Sequence, residues 1–127
     1  MRLLLDTNRY RDLADGDREV VQILESADAI FVPFVVVAEL RAGFAVGRKG
    51  RENEHTLQTF LAKPGVESLF ASEATTHVYA MLYRQLRQQG TPIPTHDLWI
   101  ASLAVEHGLT LFSRDSHFDH LPQINRL

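Results

Sequence analysis

The chain contains no cysteine, which excludes disulfides and thiolate metal sites. Long apolar runs are missing too. The longest, Ala29 to Leu40, is interrupted by Pro33 and Glu39 and falls short of the roughly 20 residues that span a bilayer. The opening Met1-Arg2-Leu3-Leu4-Leu5-Asp6 is apolar over too few residues to form the core of a signal peptide. A cytoplasmic protein is the expectation. A basic surplus is lacking as well, since the formal net charge is −3, which argues weakly against nucleic-acid binding. Distribution counts for more than the sum. Arg41, Arg48, Lys49 and Arg51 occur with no acid between them, and acids gathered in one pocket leave the remaining surface less negative than the total. Repeats, low-complexity tracts and linkers are absent. What remains is 127 residues with 45% hydrophobic and 23% charged content, the length and composition of one compact domain over 1–127.

Short apolar runs alternate with longer amphipathic ones. Strands are predicted over Arg2–Leu5, Ala29–Val32, Val66–Phe70 and Leu109–Ser113, with a short fifth over Gln123–Leu127. Asp17–Ser26 carries Val20, Val21, Ile23 and Leu24 at helical spacing. Pro33 suits the first turn of a helix that holds Glu39. Helices are further predicted over Arg51–Ala62, from a Ser72 cap to Gln89, and from a Thr95 cap to His107 with Gly108 as its stop. Continuous apolar strands separated by helices imply a three-layer α/β fold with a mainly parallel sheet of four to five strands.

Four acids draw attention. Asp6 directly follows Leu3-Leu4-Leu5, Glu39 lies in the helix after the second strand, and Asp115 lies just past Leu111-Phe112-Ser113. Asp97 falls in the first turn of its own helix, where the positive end of the macrodipole favours a carboxylate. Any one of them alone reads as a cap, a turn former or a first-turn acid. Glu39 is more telling, because it interrupts Phe34-Val35-Val36-Val37-Ala38 in a helix expected to be largely buried. In a parallel sheet the crevice beyond the strands' carboxyl ends is where such residues converge. Two carboxylates about 4 Å apart repel by roughly 4 kcal/mol at an effective dielectric near 20. A cluster of four must therefore protonate, splay apart or bind a cation. An all-oxygen set suits Mg²⁺ or Mn²⁺, and such ions assist phosphodiester hydrolysis.

The ordered motifs Leu5-Asp6-Thr7-Asn8, Val37-Ala38-Glu39-Leu40, Thr95-His96-Asp97-Leu98-Trp99-Ile100-Ala101 and Ser113-Arg114-Asp115-Ser116-His117-Phe118 resemble the PIN-domain family. Within that family the chain is similar to the VapC toxins of toxin–antitoxin pairs. The similarity runs essentially from Met1 to Leu127. It implies an α/β/α PIN-like domain acting as a Mg²⁺- or Mn²⁺-dependent endoribonuclease on RNA. Asp6 and Asp97 are then the principal metal ligands, Glu39 completes the set or orients water, and Asp115 sits at its edge. Asn8 and Ser113 match supporting polar positions. His117 stands where many members carry another acid, and Asp119 competes weakly with Asp115. The resemblance also implies a homodimer and a small VapB-like antitoxin.

Other α/β readings fit less well. A haloacid-dehalogenase-type phosphatase wants Asp-x-Asp after the first strand, and Asn8 holds the second place. A receiver-like domain needs a lysine by the pocket, yet Lys49 and Lys63 follow no predicted strand appropriately. An inactive binding module is disfavoured by the retention of all four acids. Arg9 and Arg11 lie near the first motif as possible phosphate contacts or plain exposed helix residues. Arg48, Lys49 and Arg51 are candidates for RNA-backbone contact. Tyr79, Tyr83 and Trp99 suit base stacking, core or interface, and Leu57, Phe60 and Leu61 form a partner surface only if exposed.

Overall fold

A computed structural model describes residues 1–127. Its first strand, β1 (Arg2–Leu5), buries three consecutive leucines completely, as a strand covered on both faces must. The chain continues through α1 (Thr7–Ala14), α2 (Arg18–Ser26), β2 (Ala29–Pro33), α3 (Phe34–Val46) and α4 (Gly50–Leu61). It is completed by β3 (Val66–Leu69), α5 (Glu73–Gln89), α6 (Thr95–His107) and β4 (Thr110–Phe112), followed by a 3₁₀ turn over Ser116–His120. All strand pairs are parallel, with Leu3 opposite both Ile30 and Thr110 and Ile30 opposite Val66. The order is β3-β2-β1-β4, and the architecture is three-layer α/β.

That order fixes where a site can form. From β1 the chain moves outward to β2 and β3, then returns to place β4 on the other side of β1. The connections therefore diverge at the carboxyl ends of β1 and β4, which opens a crevice there. Behind it lies a core of 26 buried apolar residues drawn from every layer, including Val36, Leu57, Leu82, Ile100 and Phe112.

The helices form for reasons that are local. Asp17 Oδ1 accepts from Val20 N–H at 3.1 Å and starts α2. Ser72 N–H donates to Thr75 Oγ1 at 2.9 Å at the start of α5. Helices α5 and α6 both stop at a glycine in the left-handed region, Gly90 at φ 72° and Gly108 at φ 61°, where a side chain is strained.

Several expectations need correction. The tail Gln123–Leu127 does not form a fifth strand. It lies beside β4 through one bridge, Leu111 to Arg126, with Leu111 N–H donating to Asn125 O at 2.8 Å and Leu127 N–H to Leu111 O at 3.0 Å. Thr95 is the first residue of α6 rather than its cap; Pro94 takes the cap position and no side chain caps the helix. Pro33 likewise ends β2 and precedes α3. Phe70 lies outside β3 and is exposed. Leu57 and Phe60 belong to the core and Leu61 packs against it, so they offer no exposed partner face.

Candidate active site

Asp6 is the first residue beyond the buried leucines of β1. Its N–H donates to Phe112 O at 3.2 Å, continuing the β1–β4 pairing, and its Oδ1 accepts from Thr7 N–H at 2.7 Å to cap α1. The other oxygen, Oδ2, accepts from Ser113 Oγ at 2.6 Å. Ser113 follows β4, is buried, and also accepts from Asp115 N–H at 3.0 Å and Asn8 Nδ2 at 3.3 Å. Asn8 Oδ1 in turn accepts from Arg114 N–H at 3.3 Å. One hydroxyl thus ties the end of β1 to the end of β4.

Asp97 enters from α6, which is buried along most of its length. Its Oδ2 lies 2.6 Å from His117 Nδ1, and the same nitrogen lies 3.1 Å from Asp115 Oδ1. Asp115 starts the 3₁₀ turn by accepting from His117 N–H at 2.9 Å. Arg126 holds this loop in place, donating from Nη2 to Ser113 O and to Asp115 O, both at 3.0 Å.

Electrostatics follow from this crowding. Burial pushes the Asp6 carboxyl above its usual range; the bonds from Ser113 and Thr7 oppose that, while repulsion from Asp97 and Asp115 adds to it. Burial also raises Asp97, opposed by the His117 hydrogen bond and reinforced by Asp115. His117 is raised chiefly by its bond to Asp97. A buried group of carboxylates that destabilise one another fits a divalent cation. The donor set supports that fit: Asp97, Asp115 and His117 offer ligand atoms within 4.8 Å of one another, and Asp6 is close enough to feel two of them.

The PIN-domain family model matches residues 3–124. The chain belongs to the PIN-domain family. It is 30% identical to ribonuclease VapC2 of Rickettsia felis over 129 aligned positions, 98% of this chain and 95% of that protein. It is 29% identical to ribonuclease VapC4 of Mycobacterium tuberculosis over 93 residues, 73% of this chain and 72% of that protein. Among solved structures, VapBC2 from Rickettsia felis bound to a DNA fragment from its promoter matches with a TM-score of 0.89 at 27% identity, covering 100% of this chain and 98% of that one. VapBC-1 from nontypeable Haemophilus influenzae gives 0.88 at 22% identity over 100% of this chain and 97% of that one, a likeness of fold.

In this PIN domain Asp97 and Asp115 meet at His117, Asp6 lies near enough to be repelled by both, and Ser113 and Asn8 hydrogen-bond the Asp6 carboxylate. Glu39 is close by but not buried. Its side chain is 45% exposed, because α3 turns Ala38, Glu39, Arg41 and Ala42 outward. Its Oε2 accepts from Thr7 Oγ1 and lies 3.6 Å from His96 Nε2. Thr7 and His96 were not singled out from sequence, although both stand beside a motif acid. Asp119 is exposed and paired with Arg126 at 2.7 Å, and it is not among the grouped donors. Arg9 is not an exposed helix residue either. It pairs with Asp12 at 3.2 Å and lies over the Phe112 ring at 4.6 Å. Tyr79 and Trp99 pack together, ring centroids 4.5 Å apart, whereas Tyr83 is exposed. Arg41 is bound to Glu54; Arg48, Lys49 and Arg51 are exposed. A concavity of about 690 Å³ lies elsewhere, among α1, α2, α4 and the starts of β2 and β3. It contains no acidic cluster. No helix is long and apolar enough to cross a membrane.

Proposed function

We propose that this PIN domain is a Mg²⁺- or Mn²⁺-dependent endoribonuclease and the toxin of a VapBC-type pair, acting in the cytoplasm. The observation that carries the reading is the convergence of Asp6, Asp97 and Asp115 where β1 and β4 end. The curated relatives named as VapC ribonucleases support it over most of the chain's length.

Asp6 and Asp97 are the residues to hold the ion, with Asp115 at its edge. A bound divalent ion lowers the pKa of a water and offsets charge on the phosphoryl oxygens. The protein's own groups do the rest. Ser113 and Asn8 keep Asp6 aimed into the crevice. Glu39 is half-exposed, fixed at one oxygen by Thr7, and so is placed to orient the attacking water and take its proton. Asp97 is nearly buried in the first turn of α6, which holds its carboxylate in place.

The test is cleavage of single-stranded RNA with and without EDTA, using Asp6→Ala as the blank. Cleavage should need the divalent ion and vanish in the variant; cutting that survives both would overturn the reading. Glu39→Gln should lower kcat by about 10²- to 10⁴-fold, while Glu52→Gln, exposed in the first turn of α4, should leave it unchanged. The toxin reading adds a homodimer and a VapB-like antitoxin, supported by structural neighbours described as VapBC complexes. Co-expression with the small protein encoded beside it should yield a complex that no longer cuts RNA. Sedimentation of the isolated chain should give twice its monomer mass, and unimpeded cleavage beside every neighbour would count against a toxin.

A further inference from the structure

The loop after β4 carries a nitrogen donor into a pocket otherwise built from oxygen. Phe118 and Leu121 anchor this loop in the core, Arg126 fixes its carbonyls at Ser113 and Asp115, and Asp115 fixes the His117 backbone by accepting its N–H, with the half-exposed ring held at the rim by Asp97 and Asp115. The imidazole is then aimed, not loose. Its Nδ1 stands 2.6 Å from Asp97 Oδ2 and 3.1 Å from Asp115 Oδ1. Around an octahedral ion with ligands at about 2.1 Å, adjacent donors lie about 3.0 Å apart and opposite donors about 4.2 Å. The two spacings from Nδ1 are close to an octahedral edge, and all three donor atoms lie within 4.8 Å of one another; an ion bound there takes the place of the proton that Nδ1 shares with Asp97.

Resting on the metal-nuclease reading above, we propose that His117 Nδ1 is itself a metal ligand, and that it biases the site toward Mn²⁺ and later first-row ions over Mg²⁺. The chemistry is direct. Mg²⁺ prefers an all-oxygen shell and gains little from imidazole, whereas affinity for nitrogen-containing sites rises along the first row from Mn²⁺. Replacing the imidazole with a carboxylate restores a hard site; replacing it with an amide removes the nitrogen donor but keeps a polar side chain of similar reach.

The test uses the full chain, wild type beside His117→Asp and His117→Gln, titrated calorimetrically with Mn²⁺ and with Mg²⁺. Pulsed electron paramagnetic resonance of the Mn²⁺-loaded proteins supplies a second readout. The wild-type preference for Mn²⁺ over Mg²⁺ should fall by about tenfold or more in His117→Asp. Nitrogen-14 modulation of the Mn²⁺ signal should be present in the wild type and lost in both variants. Tight Mn²⁺ binding by the wild type without that modulation, and with an unchanged ion preference in the variants, overturns the ligand role alone. Failure of the wild type to bind either ion overturns the metal pocket itself.

Discussion

Ser113 is the side chain on which the geometry of the candidate site turns. Its hydroxyl donates to Asp6 and receives the Asp115 N–H and the Asn8 amide, so one oxygen orients groups from β1, α1 and the loop after β4. Groups that aim metal ligands typically change metal affinity by about 10- to 100-fold when removed. Ser113→Ala should therefore weaken Mn²⁺ binding by that factor, with little change in the far-ultraviolet circular dichroism. Calorimetric titration measures it, and an unchanged dissociation constant would show that the hydroxyl is mere packing. Of these partners only Asp115 is near in sequence. Asn8 and Ser113 were legible as polar residues beside motif acids, but a bond spanning 105 positions leaves no trace in spacing. Thr7 went unnoticed for the same reason, since its bond to Glu39 spans 32 positions.

Helix α6 shows what an element contributes. It is almost wholly buried from Asp97 to Ala104, so its position fixes both Asp97 at one end and β4 at the other. Gly108 makes the exit possible: its N–H returns to Val105 O at 3.4 Å, and Leu109 N–H reaches Ala104 O at 3.0 Å. A methyl group at Gly108 would meet nothing within 4 Å, which leaves backbone strain as the whole cost. Gly108→Ala should accordingly destabilise by about 1 kcal/mol, read as a lower denaturant midpoint at unchanged slope. No loss would mean that φ relaxes out of the left-handed region. Elements of this kind were readable where one force dominates. Leu3-Leu4-Leu5 can only be a strand covered on two sides, and the glycine after His107 can only end a helix cheaply. Reading failed where forces compete. The run Phe34 to Ala38 looked largely buried, yet α3 buries only Val36, Val37 and Leu40 and exposes Glu39, because residue type alone does not say which side of an apolar helix meets the sheet. The tail Gln123–Leu127 has strand-like spacing but only one edge to join, and a single bridge results.

At the scale of the molecule, the candidate site sets acidity, metal and stability against one another. Asp6 and Asp97 both have carboxyl groups raised above 3.8, first of all by burial. A group raised on folding contributes stability that is present below its unfolded pKa and is lost as pH rises through the folded one. His117, raised above 6.5 by its bond to Asp97, acts in the same direction at higher pH. In EDTA, then, these groups make the protein less stable as the solution moves from about pH 4 toward neutrality. Other carboxylates, such as the exposed Glu54 lowered by Arg41, act oppositely, so the comparison must be with an Asp6→Asn, Asp97→Asn double variant rather than with acid alone. The stability of wild type relative to that variant should decline with rising pH in EDTA. Mn²⁺ at about 100 times its dissociation constant should restore about 2.7 kcal/mol, a rise in Tm of roughly 10 °C for a domain of this size. The double variant should gain almost nothing from the ion. Thermal melts at several pH values, with and without Mn²⁺, decide the matter. A pH-independent difference, or an equal metal response in both proteins, would mean that the buried carboxylates are stabilised by the fold alone and have no call on a cation.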